Sequence, residues 1–97
     1  MSYTRVLVIE NPVSWAEGMK IFRKQAEPAL NAAKKAGLLK SYSMVQTGDH
    51  AGMLITEFDT KAKMNKFVKA LSAVRQDVSD AAGQQSWIYS GQVKASG

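Results

Sequence analysis

Thr47-Gly48-Asp49-His50-Ala51-Gly52-Met53-Leu54-Ile55 is the stretch on which the fold turns. Two glycines bracket a short polar tip. Strand-like runs lie on both sides, Leu38 to Thr47 before it and Met53 to Phe58 after it. A turn cluster between two such runs reads as a β-hairpin. Met53-Leu54-Ile55 is apolar on both parities, so a strand there needs cover on both of its faces. The hairpin stands at the middle of a 97-residue chain. What flanks it must therefore supply the rest of one small domain.

Upstream, Tyr3 to Glu10 reads as a strand, and Val6-Leu7-Val8-Ile9 is again apolar on both parities. Asn11-Pro12 ends it. Ser14-Trp15-Ala16-Glu17 then matches a capping box. From there Trp15, Met19, Phe22, Ala26, Ala29 and Ala33 recur at steps of four and three, one helical stripe. Gly37 is its expected left-handed stop. Pro28 removes a backbone donor and crowds the preceding turn, which predicts a kink near Lys24–Pro28.

Downstream, Asp59 or Thr60 can cap a second helix. Its stripe is Met64, Phe67, Leu71, Val74 and Val78, and Gly83 is its stop. Gln85 to Lys94 is the last strand, with Trp87, Tyr89 and Val93 on one parity and Ile88 on the other. The order is β-α-β-β-α-β. Two right-handed strand–helix–strand units joined by a hairpin interleave into one antiparallel sheet with both helices on one face. The spatial order is then fourth, first, third, second strand. This makes the two continuously apolar strands central and the two more polar ones edges, so local pattern and topology agree.

Two helices cover one sheet face, yet the central strands are apolar on the other face too. A bare apolar face of that size exceeds what a monomer usually exposes. A second copy laid sheet against sheet is the simplest cover. The chain has no cysteine, so no disulfide can stabilise so small a domain. Lack of cysteine fits a reducing cytoplasm. The start, Met1-Ser-Tyr-Thr-Arg-Val-Leu-Val-Ile, shows no charged region followed by a long apolar segment. The expectation is a cytoplasmic protein without a secretory signal. No apolar run approaches the ~20 residues of a membrane span.

The formal charge is +5. Lys20, Arg23, Lys24, Lys34 and Lys35 fall on the first helix, and Lys61, Lys63, Lys66 and Lys69 on the second. All lie between the apolar positions, as solvated helix faces do. Charge alone could also attract polyanions without specificity. Gly52-Met53-Leu54-Ile55-Thr56-Glu57-Phe58 lacks the ring pattern of an RNA-binding sheet, so no specific nucleic acid is expected.

The topology gathers Glu10, Asn11, Trp15, the Gly48–Gly52 turn with His50, Asp80, Gln84, Gln85 and Trp87 at one sheet edge. That edge holds the only histidine and both tryptophans, and is the expected ligand mouth. His50 is the one side chain whose ordinary pKa suits proton transfer near neutrality; its plain alternative is a solvated turn residue. Trp15 is either core or a flat wall for an aromatic ligand, with Trp87 opposite. Tyr42 and Tyr89, on the edge strands, could each donate a phenolic proton to a bound carbonyl or simply pack. Arg5 and Arg75 could hold a carboxylate or form salt bridges. No histidine pair with metal spacing, phosphate loop or nucleophile elbow is present. No metal site is expected.

The split order, the Gly48-Asp49-His50-Ala51-Gly52 hairpin and the two amphipathic helices resemble the dimeric α/β-barrel superfamily, which includes antibiotic-biosynthesis monooxygenases and stress-responsive barrel proteins. The resemblance covers nearly the whole chain. It implies a ferredoxin-like α+β fold over residues 1–97, a homodimer with facing sheets, and a small apolar cavity. Asn11 and Trp15, four apart at a strand-to-helix junction, are similar to an asparagine–tryptophan pair of the cofactor-free monooxygenases. Two functions follow from the resemblance. One is a barrel dimer that binds a small apolar or aromatic molecule through Trp15, Trp87, Tyr42 and Tyr89. The other is a cofactor-independent monooxygenase acting on an aromatic or polyketide-like compound, with Asn11 and Trp15 orienting substrate and His50 or a tyrosine moving a proton.

Overall fold

The computed structural model of the chain describes residues 2–97, and the side chains of residues 74, 75 and 77–82 lie outside the described residues. The elements run β1 (Tyr3–Glu10), α1 (Trp15–Gln25), α2 (Glu27–Lys35), β2 (Ser41–Gly48), β3 (Ala51–Phe58), α3 (Lys61–Ala82) and β4 (Gln85–Gln92). The strands form one antiparallel sheet in the order β2-β3-β1-β4, which is the expected 4-1-3-2 order seen from the other edge. The first and third strands are central, as their apolar runs require.

The expected kink is a full break, so the helical layer has three segments instead of two. Pro28 cannot donate to the Lys24 carbonyl, and its ring would collide with that turn. The chain answers by leaving regular helix at Ala26, whose φ is −108°. Little is lost there. Ala26 N still donates to Phe22 O at 2.8 Å, and Leu30 N to Ala26 O at 3.0 Å. Pro28 becomes the second residue of α2, where a missing donor costs nothing. At the far end Gly37, with φ +80°, closes α2. Leu38 N donates to Ala33 O at 3.0 Å and Gly37 N to Lys34 O at 3.1 Å, the paired bonds of a Schellman stop. This stop consumes Leu38 and Leu39, so β2 begins at Ser41, later than Leu38. Thr60 caps α3, its Oγ1 accepting Lys63 N at 3.2 Å.

The structure also settles which parity meets the helices. Arg5, Leu7 and Ile9 of β1 and Gly52, Leu54, Thr56 and Phe58 of β3 are buried under them. They pack on Phe22, Leu30, Ala33, Met64 and Phe67. Phe58 and Phe67 meet edge to face, with centroids 5.0 Å apart. Trp15, Met19, Ala26 and Ala29 of the first stripe, and Leu71 of the second, are half-buried. Val74 and Val78 lie outside the described residues. Thr56, the fully buried polar residue, donates its hydroxyl to Arg5 O at 3.1 Å.

The opposite parity carries two rows across the sheet, apolar except for Ser43 at the β2 edge. Val45, Met53, Val8 and Trp87 align in one, and Ser43, Ile55, Val6 and Tyr89 in the other. Trp87 is 44% and Tyr89 64% exposed. Among the described residues no helix reaches this face. The lysines and arginines of both helix stripes' outer sides are exposed, apart from a half-buried Lys63. Among the described residues no helix is long and apolar enough to cross a membrane.

Candidate functional site

Where β1 ends, the chain must turn into α1 beneath the hairpin tip, and three polar contacts fix that corner. Asn11 N donates to His50 O at 2.8 Å. The His50 ring answers with Nδ1, 2.7 Å from Val13 O. A carbonyl only accepts, so Nδ1 carries a proton, and in the neutral ring Nε2 keeps its lone pair. Ser14 Oγ accepts Glu17 N at 3.3 Å and starts α1. The reciprocal arm of the capping box is replaced by a 3.7 Å approach of the Glu17 carboxylate to Lys20.

This corner closes the top of a cavity of about 100 Å3 between the helices and the sheet. Leu7, Ile9 and Leu54 form its sheet wall. Trp15, Met19 and Phe22 form the α1 wall, and Phe67, Val68 and Leu71 the α3 wall. The polar groups along this apolar lining are Arg5, Asn11, Ser72 and Gln84. Arg5, 7% exposed, is a cation held inside, and such a charge persists in a core only when partnered. Asn11 is different. Its Oδ1 is buried and has no hydrogen-bond partner, the state a buried polar atom normally avoids. Its amide lies over Gly18, where an added β-carbon would come 3.2 Å from Nδ2.

Outside the corner is an open cleft of about 510 Å3 lined by Glu10, Asn11, Pro12, Asp49, His50 and Gln85, among others. Asn11 borders both spaces. The expected gathering at this edge therefore holds for Glu10, Asn11, Trp15, His50, Gln84 and Gln85. The Asp80 side chain lies outside the described residues, as does that of Arg75.

The sequence candidates divide into three groups. Asn11 and Trp15 line the cavity. His50 is joined to Asn11 through backbone but is exposed and borders the outer cleft. Trp87 does not stand opposite Trp15. It pairs with Val8, and Tyr89 with Val6, on the face away from the helices. That parity is not readable from strands apolar on both sides. Tyr42 is on the helix side, but its hydroxyl donates to Asn31 Oδ1 at 2.9 Å and ties β2 to α2. It does not reach the cavity.

Sequence reasoning misses Gly18 and the Val13 carbonyl as parts of the site, and it places Gly52 in the hairpin turn, whereas Gly52 belongs to β3. Among the described residues no three histidine, cysteine, aspartate or glutamate side chains stand together as a metal site.

No protein-family model matches the sequence, and no curated protein matches it. Solved structures do. A variant of SnoaB, a cofactor-independent oxygenase from Streptomyces nogalater, superposes with a TM-score of 0.79 at 9% identity, over 98% of this chain and 95% of that one. A dimeric ferredoxin-like protein from an uncultured marine organism gives 0.76 at 12% identity, over 98% and 90%. A proposed antibiotic biosynthesis monooxygenase from Bordetella bronchiseptica gives 0.70 at 13% identity, over 97% and 98%. The fold is thus the ferredoxin-like α+β fold that the sequence leads one to expect. At such identities the likeness extends to the fold alone.

Proposed function

We propose that the chain binds a small aromatic molecule bearing a hydroxyl group in the cavity between its helices and its sheet, as a dimer. The observation that carries this reading is that Asn11, whose amide oxygen is buried and unpartnered, lines the cavity's top. Leaving such an atom unserved costs about 1–3 kcal/mol, and a ligand hydroxyl would recover it by donating. A hydroxyl also accepts, so it can serve the Asn11 amide either way round. The apolar walls favour an aromatic body. The volume of about 100 Å3 sits below the roughly 300–1,000 Å3 of drug-sized pockets, which argues for a single ring. The apolar rows with Trp87 and Tyr89 support a second role for those two residues, as the contact with another copy laid sheet to sheet.

Calorimetric titration with phenol and toluene tests the ligand reading, since the two differ by a hydroxyl for a methyl. Phenol should bind about three- to tenfold more tightly, the worth of one neutral hydrogen bond. Asn11→Leu should erase that preference while toluene still binds. Equal binding of both by the unaltered protein, or of neither, sinks the reading.

The fixed tautomer of His50 favours a second reading, that of a cofactor-independent oxygenase. With Nδ1–H held by Val13 O, Nε2 is free to take the proton of a quinol hydroxyl that Asn11 orients. A general base contributes roughly 10²–10⁴ to a rate. Oxygen uptake with a single-ring hydroquinone should then fall by about that factor in His50→Ala. An unchanged rate removes His50 from any chemistry.

A further inference from the structure

Gly52 lies on β3, paired with Ile9 and Gln46, and faces the helices. Its Cα carries only hydrogen where Trp15 comes down on it. A β-carbon built there would stand 2.7 Å from Cζ3 and 2.8 Å from Cη2 of the Trp15 indole. Non-bonded carbons settle at about 3.5–4.0 Å. Even alanine would push the indole out by about 1 Å. The six-membered ring of Trp15 therefore rests directly on the glycine backbone.

The backbone beneath Trp15 is not free to retreat. Trp15 is the first residue of α1, immediately after the Ser14 cap, and the loop before it is tied to the hairpin by the Asn11–His50 and His50–Val13 bonds. With both ends of the contact fixed, a change at Gly52 must be taken up by the indole itself. The indole is a wall of the cavity, next to Asn11.

We infer that Gly52 is a specificity-determining position: its missing side chain seats Trp15 and so sets the depth of the cavity, limiting the ligand to one aromatic ring. The inference rests on the cavity-binding reading above for its ligand, but not for the seat itself. Gly52 neither touches the ligand nor reacts, and it acts through Trp15. A competing reason for glycine is present, because the same β-carbon would lie 2.8 Å from the backbone oxygen of Val45. The test must separate the two.

A cycle of Gly52→Ala, Trp15→Phe and the double variant does so, read by phenol titration and by the two indole N–H signals in 15N NMR. Phenylalanine lacks the far ring atoms that the new methyl would strike. Gly52→Ala alone should shift the Trp15 indole signal, leave that of Trp87 in place, and weaken phenol binding about tenfold. In the Trp15→Phe background the same alanine should change phenol affinity by less than about twofold. If Gly52→Ala alone does not fold by circular dichroism, folding of the double variant is the expected rescue. An equal loss in both backgrounds, or failure of both to fold, assigns the glycine to the Val45 carbonyl and overturns the inference. So does an unmoved Trp15 signal. Should the unaltered protein not bind phenol, the ligand reading fails by itself, and the indole signals still decide the seat.

Discussion

Leu7 and Val8 are neighbours on one central strand, equally apolar, and they look out on different worlds. Leu7 points at the helices, beside Leu54 and Ile88, and is 7% exposed. Val8 points the other way, between Met53 and Trp87, on a face that no described helix covers. The helix side is a core with a small cavity left in it. The bare side is apolar surface in search of cover. The contrast shows that apolar strand residues do not all serve the same end. One parity holds the layers of this chain together, and the other is left for the sheet-to-sheet contact proposed above.

One substitution made at both positions gives the largest test of that contrast. Leu7→Asp places a carboxylate among apolar walls, where the one nearby cation, Arg5, already has a partner, at a cost of about 5 kcal/mol. That is comparable to the whole stability of a small domain, so the variant should lose its folded circular dichroism. Val8→Asp should keep the fold. It would instead set like charges against each other in a twofold sheet-to-sheet contact, weakening association by about a hundredfold or more. Sedimentation of the unaltered protein at micromolar concentration should give a dimer, and Val8→Asp a folded monomer. A stable monomer of the unaltered chain breaks the comparison. So does a Val8→Asp variant that unfolds as Leu7→Asp does.

Strand order, edge and centre, the disturbance near Pro28 and the stops at Gly37 and Gly83 are all legible in the amino-acid sequence. Each rests on local rules that act within one turn or one strand. The facing of the strands is not legible, because Val6-Leu7-Val8-Ile9 and Met53-Leu54-Ile55 have no polar parity to mark solvent. That is why the sequence allows Trp87 opposite Trp15 as a ligand wall, whereas the fold has it on the other face. Asn11 and Trp15 are legible as a pair at a junction, but the orphaned oxygen of Asn11 is not. Burial of one atom depends on contacts across the fold. Gly52 reads as part of a turn, since the turn signal of Gly48-Asp49-His50-Ala51-Gly52 hides the strand that starts at Ala51.

The smallest expected effect probes the corner where the cavity side begins. Ser14 Oγ serves one orphan amide of α1, that of Glu17, and Ser14→Ala leaves that amide to water, costing about 1 kcal/mol. For a chain of this size that is a drop of about 5 °C in Tm by circular dichroism. Ser14→Asp should hold the Tm, because a carboxylate caps the helix and suits its positive end. The cap also fixes the first residue of the helix, Trp15, so fraying there should loosen the indole on Gly52 and lower phenol affinity about twofold. The bare face lies outside the reach of this change, and the association constant should stay within error. A Ser14→Ala variant that associates more weakly would mean that the two faces of the sheet are coupled through the β1–α1 corner, and the division between them would have to be redrawn.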